Sequence, residues 1–555
     1  MTTHTLPGAG RRTAATRPAP SDTSQSVPER PRLAEDVVVH PPADGEAHWV
    51  VQRGSRYFRI GADVARLMQA LDGQTDAAGL ADRLGRPWTA ENVHSAVRSL
   101  HERGLLDDGR VLRRTPWVVF VPPMTVQFTL VRPERLLQWL RPLIVAAANR
   151  VTATLAAAVA LGGVLALAAQ AADLGRAMGE PLPLGVYAGV VAAFLASTSL
   201  HELGHGVTLT YYGGRPTRIG VMLFYLAPAF FCDVSDGWRL RREHRVRVAL
   251  AGIATQAVIA GAAAFTAFVV DHPDVRAGIL VFSVVAYAAG LLNLIPFVKL
   301  DGYLALMSHL DLPYLRDRAM AEARAFLARI LFGGRREPGL GRWWSVPFGL
   351  ACMAFPVYLV TTALALWFDL FHRVGAVGIT LVVCGLGFLG YAVFRGVRRL
   401  IRQARRTGAR PWRIALGSVL LGGAAALALL LPVPCSATGA YVVDGDRAEL
   451  VLLTDPATGE VAAGQQVELI QGGMVVETQV GAAVVESSTG AETTAPLAAF
   501  VPITLDPEVR VPAVGYEIRV TDLPPHQFGI ARVHLADLPL WEFLYRSYLV
   551  PLLDW

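Results

Sequence analysis

Lysine is nearly missing from this chain: a single Lys299 stands against 50 arginines. That skew reflects GC-rich coding, and no chemistry follows from it. Cysteine is almost as scarce. Cys232, Cys352, Cys384 and Cys435 are scattered, without a Cys-x-x-Cys pair, which excludes both a disulfide framework and a zinc finger. Charge is also thin. Only 17% of the 555 residues are charged while 53% are hydrophobic, and the mean hydropathy is +0.39. Such a composition excludes a soluble cytosolic protein and fits a polytopic membrane protein. The net charge of +6 therefore carries no nucleic-acid reading.

At about 150 residues per domain the length allows three or four units. Residues 1–34, rich in Thr, Pro, Ala, Ser and Arg, read as a disordered arm without the apolar stretch of a signal peptide. Residues 35–115 read as a small soluble domain. HWVVQ (48–52) and RYFRI (57–61) form an expected hairpin, three short amphipathic helices follow at 62–71, 76–85 and 91–106, and Asp107-Asp108-Gly109 turns into a wing strand. Residues 116–150 form an interfacial linker, with 132–143 suited to an amphipathic helix at the membrane surface.

Apolar runs at 151–172, 184–209, 248–270, 277–298, 345–368, 374–394 and 414–432 are each near the ~20 residues needed to cross the hydrocarbon. VMLFYLAPAFF (221–231) is too short to span and reads as a re-entrant or interfacial segment. Loops 210–247, 303–344 and 395–413 hold 7, 7 and 8 arginines, against one in each of 173–183, 271–276 and 369–373. The positive-inside rule then places the first set in the cytoplasm. The expected architecture is a polytopic α-helical membrane protein of about seven spans, with its N terminus inside and C terminus outside. The core is 151–432, and the tail 433–555, with 16 acidic residues and 5 arginines in alternating runs, reads as a β-rich extracytoplasmic domain.

The chemical signal lies in HELGH, residues 201–205. On a helix His201 and His205 share one face and can both bind a divalent metal, with Glu202 beside it as general base. Ionisable groups in an apolar span are costly and mark function. A catalytic zinc site keeps three protein ligands and an open position. Asp301, in NLIPFVKLDGY (293–303), is the candidate third ligand. His201 lies about 26 Å down the second span at ~1.5 Å per residue, the depth at which the fourth span ends near Asp301 after Pro296. Asp233 and Asp236 read as turn or interface residues rather than ligands, and Lys299 as a side chain reaching for the interface.

HELGH together with N-x-x-P-F-x-x-L-D-G resembles the site-2 protease family of intramembrane zinc metalloproteases, over about 184–310. The resemblance implies that His201, His205 and Asp301 hold Zn2+, that Glu202 activates water, and that Asn293 helps to hold the substrate backbone. The 35–115 unit resembles the RiPP recognition element, a winged-helix binder of leader peptides in pathways of ribosomally synthesised, post-translationally modified peptides. Its basic residues are balanced by acidic ones, which argues against DNA. The combination is similar to peptide zinc metalloproteases, and within them to daptide-type intramembrane metalloproteases.

The expected function is therefore intramembrane cleavage of a leader from such a precursor. The precursor and the lipid bilayer are the expected partners, with peptide-modifying enzymes or an exporter alongside. Two rivals stand beside it. One is regulated proteolysis of an anti-sigma or transcription factor, for which no PDZ-like sensor is seen. The other is a peptide exporter or metal transporter, for which no internal repeat is seen.

Overall fold

The computed structural model describes residues 28–550 apart from 44–45, 47, 55, 108–115, 122–124, 225–226, 336–338, 367–375, 445–446, 454–459, 474–475, 501–502, 505–507 and 523. The chain divides into two compact units, Met1–Pro116 and Trp117–Trp555.

The first unit is a three-stranded antiparallel sheet in the order β1 (Val37–His40), β2 (Trp49–Arg53), β3 (Arg56–Ile60), followed by α1 (Ala62–Ala70), α2 (Ala77–Leu84) and α3 (Ala90–Glu102). Asp76 and Thr89 cap α2 and α3 through their side chains, satisfying backbone donors that a helix start leaves open. The apolar faces of the helices meet in a core of Val51, Leu67, Met68, Leu80, Val93 and Val97. The Asp72 carboxylate accepts from the backbone N–H groups of Gln74 and Thr75 in the α1–α2 turn, which hold it down to about 2.

One boundary differs from the sequence expectation. Arg32 and Leu33 form bridges with Asp72 and Leu106, and Ala34 is buried, so packed structure starts inside the stretch expected to be the arm. Residues 1–27 and 108–115, where the expected wing strand would begin, lie outside the described residues. Strand β1 was not foreseen. It pairs with β2 from Val37↔Arg53 to His40↔Val50.

In the second unit the expected linker is more structured than a connector. It holds β4 (Val118–Val121), β5 (Thr125–Val131) and α4 (Glu134–Ala147). The expected re-entrant segment is a hairpin, β7 (Ile219–Phe224) and β8 (Ala227–Cys232). The four strands form one antiparallel sheet, β4-β5-β7-β8, which leaves β8 at an edge. An extended segment at membrane depth must satisfy its backbone polar groups, and sheet pairing does so where a short apolar run alone would not. Arg218 and Thr217 bind the Asp233 carboxylate, and Asp236 accepts from Arg239 and from the Arg215 backbone. Asp233 thereby fixes the end of the hairpin, and Asp236 the short 3-10 helix Ser235–Arg239 after it.

Among the described residues seven helices are long and apolar enough to cross a membrane. They include α5 (Arg150–Ala169), α7 (Leu184–Tyr211), α8 (Arg242–Thr266), α9 (Pro273–Asn293) and α12 (Ser345–Leu366), then two more at Ala376–Arg406 and Pro411–Leu429. The short helix α6 (Ala171–Gly179) and strand β6 (Leu182–Pro183) join α5 to α7, while α10 (Asp301–Leu310) and α11 (Leu315–Phe332) lead from α9 to α12. Polar groups stitch the spans together. Gln170 donates to Ala264 O at 3.1 Å, Ser283 to Ala260 O at 2.7 Å and Tyr287 to Ala160 O at 2.6 Å, the kind of interhelical bond that holds helices where water offers no competing partner.

The C-terminal domain is a barrel. Its strands are β9 (Pro432–Asp444), β10 (Arg447–Leu452), β11 (Gln466–Gly472), β12 (Glu477–Val485), β13 (Ala491–Pro496), β14 (Ile503–Thr504), β15 (Arg510–Asp522) and β16 (Phe528–Pro539). The order β10-β9-β16-β11-β12-β15 closes on itself through β10–β15 pairing, Ala448↔Ile518 to Leu452↔Val514, with β13 added on β15. Tyr441, Leu450, Leu469 and Val533 fill the interior. The barrel is anchored on the connection between the first two spans, where β14 pairs with β6 and Val476 N–H donates to Met178 O at 3.2 Å. The tail and the 173–183 loop thus share one side of the helical layer.

Candidate metal centre

The HELGH segment lies within α7, so His201 and His205 fall on successive turns of one face, and both are buried at 4% exposure. The fourth span ends at Asn293. The chain then turns through Leu294–Leu300 and starts α10 at Asp301. This returns the Asp301 carboxylate to α7. Its Oδ2 lies 2.8 Å from His201 Nε2 and 3.3 Å from His205 Nε2, and the two Nε2 atoms are 3.3 Å apart. Three donor atoms within 4.8 Å of one another form a possible metal-binding group.

The other ring nitrogens fix which atoms face the group. His205 Nδ1 is 2.7 Å from the Val248 carbonyl, an acceptor only, so Nδ1 carries the proton and Nε2 presents its lone pair. His201 Nδ1 is 3.1 Å from Gln256 Oε1 in the same arrangement. Such partners orient ligating imidazoles and raise their basicity. Both come from α8, where Val248, Gly252 and Gln256 recur every fourth residue on one face. Gly252 stands over the ligand atoms. A Cβ there would lie 2.4 Å from His205 Nε2 and 2.5 Å from His201 Nε2, so α8 leaves a cradle that any side chain would fill.

Glu202, one position on from His201, faces the Cys232 backbone at the end of β8. The base candidate therefore lies beside the edge strand of the sheet. Asn293 is the last residue of α9 and is half-buried. Sequence reasoning named the three candidate ligands and Glu202 but missed Gly252 and Gln256. The available signal was a Gly-x-x-x-Gln spacing in an apolar helix, one face carrying a small and a polar residue.

The chain resembles curated proteins over part of its length. It is 30% identical over 234 residues to "Putative zinc metalloprotease Rip2" of Mycobacterium tuberculosis (strain H37Rv), covering 37% of this chain and 88% of that protein. The chain belongs to a zinc metalloprotease family. It is also 31% identical over 215 residues to the Rip2 protein of Mycolicibacterium smegmatis, covering 34% of this chain and 80% of the relative. A third relative, "Putative peptide zinc metalloprotease protein YydH" of Bacillus subtilis, is 29% identical over 125 residues, 22% of this chain. The match spans about half of that relative, 48%. No family model and no solved structure matches the chain.

The family implies Zn2+, and the residues fit it. Two imidazoles and one carboxylate are the donor types of a catalytic zinc site, their proton-bearing nitrogens already have acceptors, and the glycine cradle keeps room beside them.

Proposed function

We propose that this zinc metalloprotease is an intramembrane endopeptidase of the site-2 protease type that removes the leader from a ribosomally synthesised, post-translationally modified peptide. The observation that carries the reading is the convergence of His201 and His205 from one span with Asp301 from the end of another, with Glu202 beside them. His201, His205 and Asp301 would hold the zinc. Zinc in such a site lowers the pKa of bound water and polarises the scissile carbonyl.

Glu202 then acts as general base, taking the proton of the attacking water and passing it to the leaving amine. A helical substrate has no free carbonyl to attack, so it must present an extended segment. Edge strand β8 offers unpaired backbone groups for such a segment, and its last residue, Cys232, faces Glu202. A strand added to β8 would therefore run beside the base. Asn293 would hold the substrate backbone from the end of α9.

The leader assignment rests on the first unit. Its sheet leaves β3 at an edge, and three helices follow the sheet. A leader peptide would add a strand at that edge, as a RiPP recognition element binds its ligand. The Bacillus relative is itself named a peptide zinc metalloprotease. Within that group the daptide-type enzymes give the best account. In this reading the first unit is cytoplasmic and the barrel extracytoplasmic, supported by the arginine-rich loops under the positive-inside rule. The precursor and the bilayer are the partners, with peptide-modifying enzymes or an exporter acting on the same precursor. The test is to incubate purified protein with a candidate precursor and locate the new termini by mass spectrometry. A single zinc-dependent cut between leader and core supports the proposal, and an intact precursor refutes it.

A further inference from the structure

The segment that delivers Asp301 is held from outside the metal centre. Arg316, at the start of α11, donates from Nε to the Phe297 carbonyl at 3.2 Å and from Nη2 to the Cys352 carbonyl of α12 at 3.3 Å. Its own backbone N–H donates to the Tyr303 hydroxyl at 3.3 Å. Arg316 thus grips the chain on both sides of Asp301, four residues before it and two after.

The Cys352 carbonyl is available for a reason legible in the sequence. Pro356 lies inside α12, and a proline has no N–H to return to the carbonyl four residues earlier. The guanidinium supplies the missing donor. Close packing makes the reach possible, because a Cβ on Gly349 of α12 would lie 2.2 Å from the Ala319 carbonyl of α11. The Phe297 ring in turn packs 5.9 Å from Phe348 and 5.8 Å from Phe355, centroid to centroid. The fifth span therefore holds Phe297 by its ring, and through Arg316 by its carbonyl.

We propose that Arg316 is a positioning residue that fixes the Asp301 carboxylate on the zinc site by joining the 297–303 segment to the proline-broken fifth span. The proposal rests on the metal-centre reading above and assigns no contact between Arg316 and substrate. A ligand on a turn is placed only as well as its anchors hold it. Arg316 holds two anchors with one planar group, which a lysine's single ammonium would not reproduce.

The experiment is a double-mutant cycle on the full chain in detergent, with Arg316→Met, Pro356→Ala and the pair. Zinc affinity is read by chelator competition and thermal stability by unfolding in chelator. Arg316→Met is expected to weaken zinc about tenfold, the low end for loss of an outer partner, and to lower stability. In the Pro356→Ala background the Cys352 carbonyl has a helical donor again, so the stability loss from Arg316→Met shrinks, while the Nε bond to the Phe297 carbonyl is still lost and the zinc loss persists. Should Arg316→Met alone fold poorly, the doubly substituted chain still reports the zinc effect. Unchanged zinc affinity in either Met variant overturns the proposal. So does a zinc loss that disappears together with the stability loss. A wild-type chain that binds no zinc would instead refute the metal centre, and the role of Arg316 with it.

Discussion

Replacing Gly252 by alanine adds one methyl group at the point where α8 faces the ligands. The new Cβ would lie 2.4 Å from His205 Nε2 and 2.5 Å from His201 Nε2, whereas carbon and nitrogen in van der Waals contact stay near ~3.5 Å. One or both rings must therefore shift by about 1 Å, against a tolerance of ~0.2 Å for a zinc–nitrogen bond. For the fold the shift is mild, because imidazole ends can rotate. Alanine is also favoured over glycine in a helix by about 1 kcal/mol. The substitution should therefore separate metal binding from stability. Zinc affinity is expected to fall by more than the ~100-fold that loss of an outer partner costs, with unfolding in chelator unchanged or slightly later. Wild type should be stabilised by added zinc and Gly252→Ala should not. The assay is thermal unfolding with and without zinc, alongside metal content by mass spectrometry. A Gly252→Ala protein that keeps its zinc and its zinc-dependent stabilisation would refute the placement of α8 over the site.

Other outcomes follow from the same geometry. Glu202→Gln should retain zinc but lose turnover by about 10²–10⁴-fold, since a proton acceptor and no ligand is removed; a cleavage assay beside metal content checks this. Gln256→Leu removes the acceptor of His201 Nδ1 and should weaken zinc about 10–100-fold, while Gln256→Glu, which keeps an acceptor, should not, as chelator competition will show. Deleting the first unit should raise KM for full-length precursor far more than it lowers kcat, because docking away from zinc acts on ground and transition states alike; a short peptide around the cleavage site should be unaffected. Asp72, held down to about 2 by the Gln74 and Thr75 N–H groups, stabilises the folded unit above the ordinary carboxylate range. That contribution fades as pH falls through about 2, and a carboxylate titration by NMR will locate the midpoint.

What was legible in the sequence follows the range of the forces involved. The spans could be read because each needs only its own apolar residues to satisfy the bilayer. His201 and His205 were legible because a helix fixes their spacing locally, and Asp301 because depth arithmetic brought the fourth span to the same level. Strands β4, β5, β7 and β8 were not. Thr125 pairs with Phe224 across α4, α5 and α7, and an apolar run such as 221–231 does not state its pairing partner. Gly252 and Gln256 were invisible for the same reason. A glycine in an apolar helix acquires meaning only when α7 lies against it, and a glutamine only when an imidazole nitrogen faces it. Arg316 in an arginine-rich loop looked like one more topogenic charge until the broken turn at Pro356 gave its guanidinium a carbonyl to fill.

The central claim is that two histidines of one span and an aspartate from the end of another hold one zinc. The direct measurement is the zinc content of the purified chain against its His201→Ala and Asp301→Ala variants, each confirmed to be folded. The account predicts about one equivalent in the wild type and most of it lost in both variants, as a three-ligand site requires. Zinc retained in full by Asp301→Ala would contradict it.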